Sequence, residues 1–270
     1  MDGQSYISLA KEFNASKRLG QNFLLDAKVT KAEAQHAIGK TVLELGPGLG
    51  VLTRELCKTA KRVIAIEKDT RLYEQLLHTI RSKNLELVNA DFFELDEKAI
   101  DGAEMMVANI PYNLSSKTIM WLAERQMPAL LCLQKEFVEH LLAKPDTRDY
   151  SKLSVVCSIE FKIYDIMDVG RNMFYPEPKV SSSIVFMKPT GTRLDKDVIE
   201  MITLLMNHKK KKVRNAFVDS SASLNIGKGE ALKIVERLSG SDQRAFKMEP
   251  DEILAVARIL SKELAKRTRT

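Results

Sequence analysis

The residues best suited to chemistry in this 270-residue chain are Asn109, Ile110, Pro111 and Tyr112, which follow the apolar run Met105–Ala108. That run reads as a buried strand, so its end presents a carboxamide, a stiffened turn and an aromatic ring side by side. The combination suits an amino group on a flat ring. The Asn109 side-chain oxygen accepts one hydrogen bond from such an amine, and a free backbone carbonyl, with Ile110 the candidate, accepts a second. Pro111 has no N–H and a fixed φ, so it holds the turn. Tyr112 offers a face for stacking. None of these groups is a strong base or nucleophile, so the reactive group must come from a cofactor. A strand followed by a polar turn could use the same residues, and the surrounding chain has to discriminate.

The elements before Asn109 supply that context. Thr41–Leu45 reads as a strand entering Gly46-Pro47-Gly48-Leu49-Gly50, and residues 51–59 have helical spacing with Leu52 and Leu56 on one face. Strand, glycine turn and helix form the first unit of a parallel α/β sheet. The spacing is GxGxG, not the GxGxxG of dinucleotide sites. Residues 62–67 form a second strand ending in Glu67, about 20 residues past the glycines, where such folds place a carboxylate for ribose hydroxyls. A third strand over 85–91 ends in Asp91, followed by Phe92 and Phe93, an acceptor and an aromatic surface for an adenine ring. Four strand ends thus carry the glycine turn, Glu67, Asp91 and Asn109, and open α/β sheets bind ligands at the carboxyl ends of their strands.

The flanking segments complete the expected fold. Residues 1–20 read as polar and mobile, with Asp26 capping a helix over 29–38. Helices are expected over 70–80, 115–124 and 136–143, and a fifth strand over 129–133. Residues 144–152 read as a loop over the site. The β-rich runs 153–161 and 182–187 are expected to pair at the sheet edge. Between them, Phe174 in Phe174-Tyr175-Pro176-Glu177-Pro178 is a second stacking ring, opposite Tyr112. After Gly191 the strand signal ends, and the helical spacing predicts a small helical domain over 191–270, following a sheet domain over 1–190.

Charge divides the chain at the same place. Residues 1–190 carry 25 Lys+Arg and 25 Asp+Glu, whereas 191–270 carry 17 and 11, so the net +6 resides in the last third. Lys209, Lys210, Lys211, Lys212 and Arg214 place five cations in six residues. Such a run repels itself unless a polyanion faces it, and phosphate backbone is the natural partner; a solvated helix end is the plainer reading. Three scattered cysteines and four scattered histidines show no metal-ligand spacing, and no metal is expected. The cysteines fit reduced thiols in a cytoplasmic protein, and no apolar run is long enough to span a bilayer.

With these residues in place, the chain resembles the ribosomal RNA small-subunit adenine dimethyltransferases. The resemblance rests on Gln21-Asn22-Phe23-Leu24, Glu44 through Gly48, Asn109 through Tyr112, Phe174 through Val180, and Lys209 through Asn215, in that order. One departure is Ile110, where the family motif often has Leu. The resemblance implies a Rossmann-like, seven-stranded methyltransferase sheet with a small C-terminal helical domain, and S-adenosyl-L-methionine as donor. It implies two adjacent adenines near the 3′ end of small-subunit rRNA as target, with the small ribosomal subunit as partner of a monomeric enzyme. It also implies that Asn22, Leu24, Gly46, Glu67, Asp91 and Asn109 contact the cofactor or frame its pocket; the adjoining Gln21, Gly48, Lys68 and Phe92 complete the candidate set. Three other classes share parts of the pattern: a DNA adenine-N6 methyltransferase, an RNA-binding assembly factor with dispensable catalysis, and a nicotinamide-dependent oxidoreductase, which the GxGxG spacing disfavours.

Overall fold

The computed structural model describes residues 3–13, 22–236 and 238–267. They form two compact units, one of Met1–Val138 with Ile163–Pro189 and the other of Glu139–Lys162 with Thr190–Thr270.

The first unit is built on a seven-stranded sheet. Its strands are β2 (Thr41–Leu45), β3 (Arg62–Glu67), β4 (Leu85–Asn89), β5 (Met105–Ala108), β6 (Ala129–Gln134), β7 (Phe161–Val169) and β9 (Ser182–Pro189), in the order β4-β3-β2-β5-β6-β9-β7. The pairs β2–β3, β3–β4, β2–β5 and β5–β6 are parallel, and β9 runs antiparallel to β6. Every residue of β2 and β5 is buried, because helices cover both faces of a parallel sheet and leave no side for polar residues. Leu43, Ile64, Met105 and Met106 are wholly buried, each contributing about 1.5–3 kcal/mol relative to exposure. The chain steps outward from β2 through β3 to β4, then returns to place β5 on the other side of β2. That reversal opens a crevice at the carboxyl ends of β2 and β5.

Helices α2 (Ala27–Gln35), α3 (Val51–Thr59), α4 (Thr70–Thr79) and α5 (Ser115–Arg125) belong to this unit. Asp26 caps α2 by accepting from the Lys28 and Val29 N–H groups. In α3, Leu52 and Leu56 are buried whereas Glu55 and Lys58 reach outward, as the spacing requires. A short two-stranded antiparallel sheet pairs β1 (Phe23–Leu24) with β8 (Phe174–Tyr175), matching Phe23 to Tyr175 and Leu24 to Phe174.

Three expectations are corrected. Part of the polar N-terminal stretch is helical: α1 (Gly3–Glu12) buries Tyr6 and Ala10. The run 153–161 is not an edge strand. It forms α7 (Lys152–Glu160), closed by a capping box between Ser151 and Ser154. Its β-branched residues signal a strand, but burial all round it shows no period of two, and the strand begins only at Phe161. The sheet domain also does not run unbroken to 190, because α7 packs with α8 (Lys196–Asn207) and α11 (Pro250–Arg267) in the second unit.

The second unit also contains α9 (Val213–Asp219) and α10 (Lys228–Glu236), while α6 (Lys135–Leu141) runs from the first unit into it. Residues 144–152, expected as a loop over the site, belong to this unit too, and Lys152 already starts α7. Tyr150 is fully buried and its hydroxyl donates to the Met248 carbonyl at 3.0 Å. Among the described residues no helix is long and apolar enough to cross a membrane.

Candidate active site

The crevice at the strand ends holds a cavity of about 400 Å³. Of the residues expected at a cofactor, Asn22, Leu24, Gly46, Gly48, Glu67, Lys68, Asp91, Phe92 and Asn109 all border it, with Pro111. Gln21 lies outside the described residues. The glycine turn fits tightly: Gly48 has φ +58, and a Cβ there would lie 2.9 Å from the Phe23 ring, so only glycine suits the position. Glu67 is buried at the end of β3. Its Oε2 accepts from the Gly48 N–H at 3.0 Å and its Oε1 from the Asp69 N–H at 2.8 Å. Burial raises its pKa, and these N–H groups offset part of that rise. Each oxygen keeps lone-pair capacity for a hydroxyl.

Asp91 caps the short turn Phe92–Glu94 by accepting from the Phe93 N–H at 3.0 Å. The Lys68 ammonium donates to its other oxygen at 2.6 Å and holds its carboxyl below the usual carboxylate range. Phe92 meets Phe93 and Trp121 edge-on, with ring centroids 5.1 and 4.9 Å apart. The adenine-sized end of the cavity therefore has an acceptor and an aromatic wall.

A smaller cleft shares Asn22 and Asn109 with this cavity and is completed by Ile110, Tyr112, Cys132 and Phe174. The two rings expected to sandwich a base thus border one cleft. Ile110 is buried, and the Tyr112 hydroxyl is 2.8 Å from Ser182 Oγ, with its pKa pushed up to about 12 by burial. Phe174 is only 6% exposed, held by its pairing with Leu24. The cleft, about 10 Å³, has room for about one water. Entry of a base requires Phe174 or Tyr112 to move. At the shared wall, Asn109 Oδ1 is buried without a hydrogen-bond partner, while Nδ2 donates to Glu33 Oε2 at 3.3 Å.

Glu33 was not singled out from sequence, and Glu44 only as the first residue of the motif running through Gly48. Glu44 lies inside β2 and borders the cofactor cavity, with Oε2 buried and unpartnered. Burial pushes both carboxyls from 4.5 up to about 8. The sequence does hold a signal for each: an acid within the apolar run Val42–Leu45, and an acid four residues beyond Val29 on the buried face of α2. Because the folded pKa exceeds the unfolded one, this contribution to stability is complete below about pH 4.5 and is lost as pH rises through 8. The melting temperature of Glu44→Gln is therefore expected to fall less between pH 5 and 9 than that of the parent protein. Calorimetry across that range checks this, and equal slopes would refute it.

The lysine run lies in the second unit. Two acids of the second unit pair with three of its five cations. Lys209 donates to the Arg148 and Tyr150 carbonyls at 2.8 and 2.6 Å. Lys211 pairs with Asp219 at 2.7 Å, and Lys212 and Arg214 both reach Asp242 at 3.0 and 3.1 Å. Mutual repulsion is thus offset by acids that lie eight or more positions further along the chain. Lys210 is exposed.

The seven-stranded sheet, with its crevice at the carboxyl ends of β2 and β5, is a Rossmann-like methyltransferase fold. Similarity to known proteins narrows that class. The model of the ribosomal RNA adenine dimethylases matches residues 12–262, and the chain belongs to that family. It is an enzyme of that type, a ribosomal RNA adenine dimethyltransferase. A "probable ribosomal RNA small subunit methyltransferase A" of Thermococcus kodakarensis is 33% identical over 92% of this chain and 91% of its own. The protein of that name from Methanococcus maripaludis is 34% identical over 92% and 99%. Among solved structures, a dimethyladenosine transferase from Plasmodium falciparum superposes with a TM-score of 0.70 at 26% identity, over 87% of this chain and 96% of that one. The 23S rRNA methyltransferase ErmE gives 0.57 at 28%, over 88% and 99%.

Proposed function

We propose that the chain uses S-adenosyl-L-methionine to dimethylate N6 of two adjacent adenines near the 3′ end of small-subunit rRNA, acting in the cytoplasm on the small ribosomal subunit. The observation that carries this reading is Asn109 Oδ1: a buried acceptor without a partner, at the wall shared by a nucleoside-sized cavity and a ring-lined cleft. The residues present suit the cofactor. Glu67 would hold the ribose hydroxyls and Asp91 and Phe92 the adenine, and Glu44 also borders the cavity.

When bound, the cofactor supplies an electrophilic methyl carried on sulfonium. The chain's own residues do the rest. Tyr112 and Phe174 stack on a base taken out of its strand. Asn109 Oδ1 and the Ile110 carbonyl accept from the amine, holding its lone pair in line and stabilising the positive charge that develops on N6. The ring faces add to that stabilisation. No dedicated base is required, because the methylated cation loses its proton to water.

Tritium transfer from labelled S-adenosylmethionine to unmethylated small subunits, followed by nucleoside analysis, tests the reading. Dimethyladenosine at two adjacent positions supports it. Label appearing instead in large-subunit rRNA or duplex DNA would overturn the substrate assignment. The names and coverage of the relatives at 33–34% identity favour the small subunit over the ErmE-like alternative.

In the same reading the lysine run meets rRNA phosphate. Its exposed ion pairs are each worth little, under about 1 kcal/mol, so a phosphate can displace Asp219 or Asp242. Replacing Lys210, Lys211 and Lys212 together by Gln is expected to lower the slope of log K against log salt by about 2, at roughly 0.7–0.9 per lost contact. Filter binding from low to high salt measures it; an unchanged slope assigns the run to the solvent. Lys209 is left intact because its ammonium holds two backbone carbonyls.

A further inference from the structure

We infer that Glu33 is a positioning residue, whose carboxyl fixes the Asn109 carboxamide so that its oxygen, not its nitrogen, meets the target amine. The inference rests on the proposed role of Asn109 and goes beyond it.

A carboxamide is nearly symmetric in shape, and its two ends are opposite in function. Turned one way, Asn109 accepts from an amine; turned the other, its NH₂ opposes the amine's own N–H bonds. Something must choose between them. Asn109 Nδ2 donates to Glu33 Oε2 at 3.3 Å, and Oδ1 is the end left without a partner. The two residues are 76 positions apart, one on α2 and one just beyond β5, so the contact is made by the fold and not by a local turn.

Glu33 itself has no evident reason to be an acid. It is 1% exposed on the inner face of α2, beside Val29, Thr30 and Ala34. Among the described residues its second oxygen is buried and unpartnered, and it has no cation among its partners there. A buried carboxyl of this kind is costly, and an apolar residue of the same size would serve packing better. Its one hydrogen bond points at the residue expected to grip the substrate. Groups retained at a cost to stability are found where function needs them.

This separates positioning from packing. Glu33→Leu fills the site without an acceptor and frees the amide to turn. Glu33→Gln keeps an oxygen for Nδ2. The expected result for Glu33→Leu is a kcat lower by about five- to thirtyfold, from the lost hydrogen bond and a looser amide. The same variant should bind S-adenosylhomocysteine within about twofold of the parent and melt no lower, as loss of a buried polar group predicts. Glu33→Gln should recover at least about half of the parental kcat, because its amide oxygen restores the acceptor. Steady-state methylation of small subunits, calorimetric cofactor binding and thermal melts together read this out.

A parental kcat in Glu33→Leu while Asn109→Ala is inert would overturn the positioning role alone. Equal loss in Glu33→Leu and Glu33→Gln, with both melting points lowered, would assign Glu33 to packing and overturn it too. An active Asn109→Ala would instead bring down the reading of Asn109 on which it stands.

Discussion

Asn109→Ala is expected to reduce methyl transfer by about 10²–10³-fold while leaving RNA binding near that of the parent protein. The size follows from what the carboxamide does. In the proposed reaction it would be a fixed dipole at the point where positive charge develops, and removing one such group from an enclosed site typically costs that factor. It also aligns the attacking lone pair, and misplacement of about 1 Å alone can cost 10²-fold. The buried Oδ1 needs no reorganisation at the moment of reaction, since Nδ2 is already committed to Glu33. RNA affinity should be spared because it resides mostly in phosphate contacts made elsewhere. Asn109→Asp is a sharper probe: it keeps an acceptor oxygen but replaces the NH₂ that donates to Glu33. It should lose nearly as much as alanine. Single-turnover transfer on small subunits, with filter binding in parallel, measures both quantities. Near-normal turnover in Asn109→Ala would remove the residue from catalysis.

The end of β3 was readable because that strand is buried from Val63 onward and its terminal Glu67 stands out, whereas Asp91 follows the partly exposed edge strand β4; both border the cavity. The small sheet of Phe23–Leu24 with Phe174–Tyr175 joins segments some 150 positions apart, and no local pattern encodes that pairing. Glu33 was hidden for a related reason. On a helix wheel an acid beside Val29 reads as a boundary residue, and only the approach of Asn109 gives it a partner. The run 153–161 misled because Val155, Val156 and Ile159 favour strands locally, whereas the packing of α7 against α8 and α11 rewards a helix buried all round. The charge of Lys209–Arg214 was legible as composition, but Asp219 and Asp242 lie too far along the chain to be paired with it by eye.

Glu67→Ala should fail at a different step. Glu67 receives the Gly48 and Asp69 N–H groups, so it joins the glycine turn to the start of α4 as well as facing the cavity. Losing two hydrogen bonds from ribose hydroxyls to a charged acceptor, each worth about 1.5–3 kcal/mol, raises the dissociation constant for S-adenosylhomocysteine by at least about a hundredfold. Part of this is returned, because burial disfavours the charged form of the Glu67 carboxyl. Glu67→Gln separates the contributions. Its amide oxygen can keep the Gly48 N–H, but its NH₂ then confronts the Asp69 N–H, so it should fall between the parent protein and the alanine variant. Titration calorimetry reads the affinity, and binding within about threefold of the parent in Glu67→Ala would dismiss the ribose role. Kinetics then distinguish the two residues. A binding contact that is equal in ground and transition states raises KM and spares kcat, so activity of Glu67→Ala should return at saturating cofactor. Asn109→Ala should not be rescued that way, because its contact is to the atom whose charge changes.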